Sequence, residues 1–199
     1  IVGWSNNGQN ILFRSTHESV HRNGCDAWLY SISLNGGPYE RLPYGPAMTV
    51  SHQLKGDKAI AIGRNTLNNS RWKRYRGGMT GEIWVDNENK GNFKRLFHNL
   101  SGNPVCPFWL DKRLWFVSDH KGIGNLFSCT VNGKDLRQET FQKEYYVRFP
   151  STDGETIVYH VGGELWKLDP KETISQKREK LIEITWHSTK TLLQRRFFY

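Results

Sequence analysis

Cysteine is scarce in this chain. Cys25, Cys106 and Cys129 are odd in number, far apart and in no CxxC pair, which excludes a disulfide framework or a zinc knuckle and fits a reducing compartment. Long apolar runs are missing as well. No stretch approaches the roughly 18 consecutive apolar residues of a spanning helix, and the mean hydropathy is -0.67, so a helical membrane bundle is excluded. Residues 1–8 offer no basic, apolar or cleavage segment of a secretory leader. The chain opens on Ile1 inside a strand pattern, as expected of a piece of a longer polypeptide. Acid is the minority charge, with 19 Asp and Glu against 28 Lys and Arg and a net charge of +9. That balance permits an acidic partner such as nucleic acid, anionic lipid or a peptide carboxylate. Aromatic residues are plentiful, with eight Trp, eight Tyr and ten Phe in 199 residues. They supply apolar area that only a packed fold hides, and they exclude a disordered chain.

The dominant signal is internal repetition. An apolar run, a turn with Gly or Asp and a second apolar run occur at 3–13, 49–63, 107–117 and 148–161. Each copy is followed by a second pair of runs, at 28–42, 82–96, 125–140 and 164–181. The anchors Leu29, Trp84, Phe127 and Trp166 recur at spacings of 55, 43 and 39 residues. Short runs alternate apolar and polar, and Asn-Gly, Lys-Gly or Asp-Gly at the breaks suits tight hairpins. Each unit is therefore expected to be four short antiparallel strands. A superperiod of about 40–45 residues predicts an all-β fold, a partial β-propeller of about four four-stranded antiparallel blades. The expected blades lie near 1–45, 46–100, 101–143 and 144–184, with 185–199 starting a further blade or forming a stray tail. The alternative is a β-sandwich, whose strands lack a four-strand superperiod.

Five stretches carry a family likeness: VGWSNNGQNILFRS (2–15), LYSISLNGGPYERLP (29–43), WKRYRGGMTGEIWV (72–85), FWLDKRLWFVSDHKGIGNLFS (108–128) and YYVRFPSTDGETIVYHVGGELWKLD (145–169). Together they resemble the N-terminal six-bladed propeller of tricorn proteases. The resemblance implies a large cytoplasmic homo-oligomeric assembly that trims peptides, with two propellers, a PDZ-like domain and a separate C-terminal serine-peptidase domain. It implies as partners the remaining domains of the same protease and peptide substrates. The family's Ser-Pro-Asp-Gly turn departs to Ser5-Asn6-Asn7-Gly8 and is largely lost at 51–56, and the tail 184–199 fits poorly. The portion bearing the nucleophilic serine would lie outside this chain, so no catalytic residue is expected within it.

His17-Glu18-Ser19-Val20-His21 spells HExxH, a zinc motif only when helical. It lies between two strand patterns with only Val20 to bury, so a polar loop and no metal site are expected. Ser51-His52 and Ser118-Asp119-His120 supply triad residue types, but no GxSxG elbow accompanies them. Gly122-Ile123-Gly124 lacks the third glycine of a dinucleotide fingerprint, and no cofactor is expected. The three cysteines, with His98, His160 and His187, are read as structural or surface residues.

Strands in a blade alternate in direction, so the connections between second and third strands all emerge on one rim. Two are long and neighbouring, 14–27 and 64–81. The second holds Arg64, Arg71, Lys73, Arg74 and Arg76 without an acid, interleaved with Trp72 and Tyr75. The first adds Arg14, His17, His21 and Arg22, partly offset by Glu18 and Asp26. The expected peptide-steering site is Arg22, Arg71, Trp72, Lys73, Arg74, Tyr75 and Arg76, because the planar arginine fork holds carboxylates bidentately. The bland reading is a solvated loop packed onto the sheet by Trp72 and Tyr75. Two other functions are weighed: single-stranded nucleic-acid binding on the basic rim, with no recognised module spelled, and a Tol-type interaction scaffold.

Overall fold

The structure, a computed structural model, describes residues 1–19, 27–54 and 58–187. Among these residues sixteen strands form four sheets, each built from four consecutive strands in chain order. The first holds β1 (Gly3–Trp4), β2 (Asn10–Ser15), β3 (Trp28–Ser33) and β4 (Glu40–Arg41). The second holds β5 (Thr49–His52), β6 (Ile60–Arg64), β7 (Glu82–Asp86) and β8 (Lys94–Arg95). The third comprises β9 (Val105–Leu110), β10 (Arg113–Ser118), β11 (Asn125–Cys129) and β12 (Arg137–Gln138). The fourth comprises β13 (Arg148–Thr152), β14 (Ile157–Val161), β15 (Glu164–Leu168) and β16 (Glu179–Ile182). Every pairing is antiparallel. The expected propeller blades are thus present, and each anchor, Leu29, Trp84, Phe127 and Trp166, falls in a third strand. One 3-10 turn, Gln176–Arg178, leads into β16.

The period of two explains the stacking. Along β6, Ile60 and Ile62 turn toward the first sheet and join Leu12, Leu29 and Val50. Their neighbours Ala59 and Ala61 turn the other way, onto Leu114, Phe116 and Phe127 of the third sheet. β10 repeats the device one sheet further on: Trp115 and Val117 face Ile157, Tyr159 and Val161 of the fourth. Successive side chains of a strand therefore serve two interfaces, and each fully buried Leu, Ile or Phe contributes about 1.5–3 kcal/mol.

A buried polar clamp joins the third and fourth sheets. Arg178 donates to Glu139 Oε2 at 2.6 Å and to Glu139 O at 2.8 Å, with both side chains almost wholly buried. Glu179 Oε1 accepts the Phe141 N–H at 2.7 Å, and its Oε2 accepts Gln142 Nε2 at 2.7 Å and the Tyr159 hydroxyl at 2.8 Å.

Two first strands carry a matching irregularity. Register shifts in β9 and β13 coincide with Cys106 (φ 53°) and Phe149 (φ 49°), each in the left-handed region and each followed by proline. Such bulges re-aim side chains, and both residues reach the site below.

Candidate functional site

The long connection from β6 to β7 is an ordered platform. Its base is closed where Asn65, itself left-handed at φ 69°, donates to Thr80 O at 2.8 Å. Short side chains then bend it through successive turns: Ser70 Oγ donates to Asn68 Oδ1 at 2.6 Å, and Tyr75 N to Trp72 O at 3.1 Å. At its far end Gly81 donates to Asn103 Oδ1 at 2.7 Å. A Cβ there would run into Pro104 O, so only glycine fits so close to the next sheet.

The main anchor is Asp119, whose side chain is fully buried at the end of β10. Its Oδ2 accepts the Arg74 N–H at 2.9 Å and the Tyr146 hydroxyl at 3.3 Å, while its Oδ1 accepts the Asn103 N–H at 2.8 Å. Arg76 Nη1 lies 3.5 Å from Oδ1. One carboxylate thus ties the second-sheet connection to the third and fourth sheets, and holds Arg74 left-handed at φ 57°. Burial, with the Asp119 charge second, pushes the Tyr146 phenol up. Burial also pushes His120 down, helped by Lys121.

This geometry sorts the expected rim residues. Arg71, Trp72, Lys73, Arg74 and Arg76 are exposed, and Tyr75 is half-buried. Arg76 is not a free cation: the counter-ion that its own loop lacks comes from Asp119 of the neighbouring sheet. Arg64 leaves the rim group altogether, lying 4.5 Å over the Trp84 ring and donating to Tyr44 O at 3.0 Å. Trp72 remains 63% exposed and tilts against Tyr75 at 5.2 Å, so it does not pack the loop onto the sheet. Lys73 Nζ sits 5.8 Å from the Tyr146 ring centroid. Arg71, Lys73 and Arg74 form no ion pair among the described residues. Arg22 lies outside the described residues, as do Val20, His21 and Cys25.

The platform overhangs a groove of about 920 Å³ lined by Arg14, Arg71, Trp72, Met79 and Phe149, among others. A second cavity of about 760 Å³ runs along the first strands of the four sheets, lined by Trp4, His52, Phe108 and Pro150 among others. Arg14, Met48, Leu67 and Phe149 border both.

The other motifs resolve simply. His17 and Glu18 sit in a turn after β2, where His17 contacts the hydroxyls of Ser15 (2.8 Å) and Tyr39 (3.0 Å) and Glu18 accepts from Tyr30 at 2.9 Å. Among the described residues no group of three or more His, Cys, Asp or Glu is placed to hold a metal ion. Ser118 is buried, with its hydroxyl 3.0 Å from His120 Nδ1, and Asp119 is committed to the platform rather than to that imidazole. Ser51 Oγ accepts the Trp109 N–H at 3.0 Å. Cys106 and Cys129 are free thiols. No described helix is long and apolar enough to cross a membrane. Sequence reasoning missed Asp119 as an anchor, Asn103 as its bridge and the Phe149 bulge. The Cys-Pro and Phe-Pro pairs at equivalent places in two repeats were the one signal for that bulge.

The family model for the tricorn protease N-terminal beta propeller domain matches residues 1–173. The chain is 39% identical over 184 residues to tricorn protease homolog 1 of Streptomyces coelicolor, covering 89% of this chain and 16% of that protein. It is 33% identical over 181 residues to the tricorn protease of Thermoplasma acidophilum, covering 91% of this chain and 16% of that one. The crystal structure of the tricorn protease superimposes with a TM-score of 0.81 at 30% identity, over 95% of this chain and 17% of that one. The chain thus spans about a sixth of the relatives it matches, and its repeats, sheet order and sequence together place it in the tricorn protease family, within the N-terminal β-propeller domain.

Proposed function

We propose that this propeller region gates and positions peptides for a serine-peptidase domain elsewhere in the same protein, and contributes no catalytic residue itself. One observation carries the reading. Among the described residues Arg71, Lys73 and Arg74 sit without carboxylate partners on a platform that Asp119 fixes in place, beside a groove that shares four lining residues with the cavity along the first strands. A fixed group of like charges raises the local concentration of anionic ligands and steers their approach. Exposed Trp72 adds a flat apolar surface for a passing side chain. The chain's membership in a protease family favours a peptide carboxylate as the anion.

Reversing Arg71 and Lys73 to glutamate in the full-length protein tests this. The expected result is a lower kcat/KM for peptides with a free C-terminus and an unchanged rate for the same peptides amidated. Equal rates for both variants and both peptide forms would refute the reading. Salt-sensitive retention of a single-stranded oligonucleotide by the same residues would instead favour nucleic acid as the ligand.

A further inference from the structure

Four side chains line both the rim groove and the cavity along the first strands, here the axial cavity: Arg14, Met48, Leu67 and Phe149. Each is set there by a different element. Arg14 is near the end of β2, on the same strand face as buried Leu12, and so points toward the second sheet. The Phe149 bulge puts its side chain on the lining of both cavities, with its ring 6.1 Å from that of His160. Leu67 belongs to the platform, and its carbonyl accepts the Cys106 thiol at 3.0 Å. Met48 precedes β5, and its carbonyl accepts Arg14 Nη1 at 3.4 Å.

Arg14 is the one charged side chain of the four. Its single hydrogen bond among the described residues is that long contact to Met48 O, which leaves most of the five guanidinium donors for a ligand. No Asp or Glu side chain lines either cavity among the described residues. His52, on the wall of the axial cavity, is pushed down by burial and stays neutral at pH 7. A cation flanked by three large apolar side chains is screened less by water and salt than the exposed cations of the platform.

We infer that Arg14 is a charge-selecting residue at this threshold, favouring passage of peptides with acidic side chains over peptides with lysine or arginine at the same position. The inference rests on the proposed peptide-handling role but is separable from it. The platform attracts the anionic end of any peptide, whereas the threshold discriminates by side chains within it. Met48, Leu67 and Phe149 accept apolar side chains without preference of sign.

The test uses the full-length protein and two fluorogenic peptides identical except for one internal residue, Glu or Lys, distant from the scissile bond. The readout is the ratio of their kcat/KM values. The ratio is expected to favour the Glu peptide, to fall toward unity in Arg14→Met, and to change by at least about tenfold toward the Lys peptide in Arg14→Glu. Should the Glu variant fail to fold, the Met variant, close in length to arginine's stem, still decides the matter. An unaltered ratio in Arg14→Met overturns the inference. If Arg71→Glu nevertheless slows both peptides, the platform reading survives without the threshold. If neither substitution has any effect, both readings fall.

Discussion

Removing one partner of the Arg178–Glu139 pair should open the boundary between the third and fourth sheets. The guanidinium is 1% exposed and the carboxylate 4%, with Nη2 and Oε2 2.6 Å apart. Glu139 Oε1 is used by the Ser128 hydroxyl, and Arg178 Nη1 reaches Glu172 O at 3.3 Å. Arg178 Nε already lacks a partner among the described residues. In Glu139→Leu the cation keeps only carbonyl acceptors in a site closed to water, a loss of about 3–5 kcal/mol for breaking a buried pair. Because each 1.4 kcal/mol is about tenfold in an equilibrium constant, local opening becomes roughly a hundredfold or more as frequent. Hydrogen exchange in the intact protein reads this directly, at the amides of Leu126, Glu139 and Phe141, whose acceptors lie at this boundary. The double variant Glu139→Leu/Arg178→Met removes the stranded charge and should recover most of the protection, since an apolar pair of similar volume is often neutral or better. Protection unchanged in the single variant, or no recovery in the double, would refute the claim that an uncompensated buried charge is the cause.

Three further outcomes follow from the same contacts. Asp119→Ala strands two backbone N–H groups and a tyrosine hydroxyl, each such loss being about 1–3 kcal/mol; exchange at the Arg74 and Asn103 amides should accelerate, while that of β2 and β3 stays put, and uniform acceleration would contradict the anchor. Gly81→Ala forces a Cβ onto Pro104 O and should destabilise the loop base by about 1–3 kcal/mol, seen as faster exchange at residues 79–82 and disproved by wild-type protection there. Burial pushes the Cys106 and Cys129 thiols up to about 12 from an ordinary 9.0. Both therefore stay protonated at pH 8 and should resist iodoacetamide until denaturant is added, with peptide mapping as the readout. Since the folded values lie above the unfolded one, the associated stability is complete below pH 9 and is lost as pH climbs toward 12; alkylation of the folded protein at the denatured rate would refute this.

The sheets were legible because their cues are local. Asn132-Gly133 and Gly162-Gly163 each mark a turn within a few residues of the strands they join, and both glycines of the latter pair take positive φ. The platform was legible as composition, since four cations fall within the six residues from Arg71 to Arg76. Its electrostatics were not. The carboxylate that restrains Arg74 and Arg76 is Asp119, 45 residues beyond Arg74, and the acid opposite Arg178 is Glu139, 39 residues before it. No spacing rule links such pairs, because the sheet-to-sheet stacking that joins them exists only after each hairpin has formed. The Arg14 threshold is hidden for the same reason: its four residues come from four separate segments.

Burial patterns carry a last step that alternation in the sequence cannot. β10 and β11, in the third sheet, are buried at nearly every position, since both of their faces meet a neighbour. β14 alternates strictly, with Ile157, Tyr159 and Val161 buried and Val158 and His160 exposed, although Val158 is as apolar as its neighbours. The first sheet meets the problem with its own side chains: on the face turned from the second sheet, Tyr30 is buried beneath Phe13, His17 and Tyr39. The HExxH stretch thereby acquires a structural use, because His17 and Glu18 fold back to cap that aromatic face and satisfy the Tyr30 hydroxyl. Burial, reinforced by Glu18, pushes that phenol up to about 12.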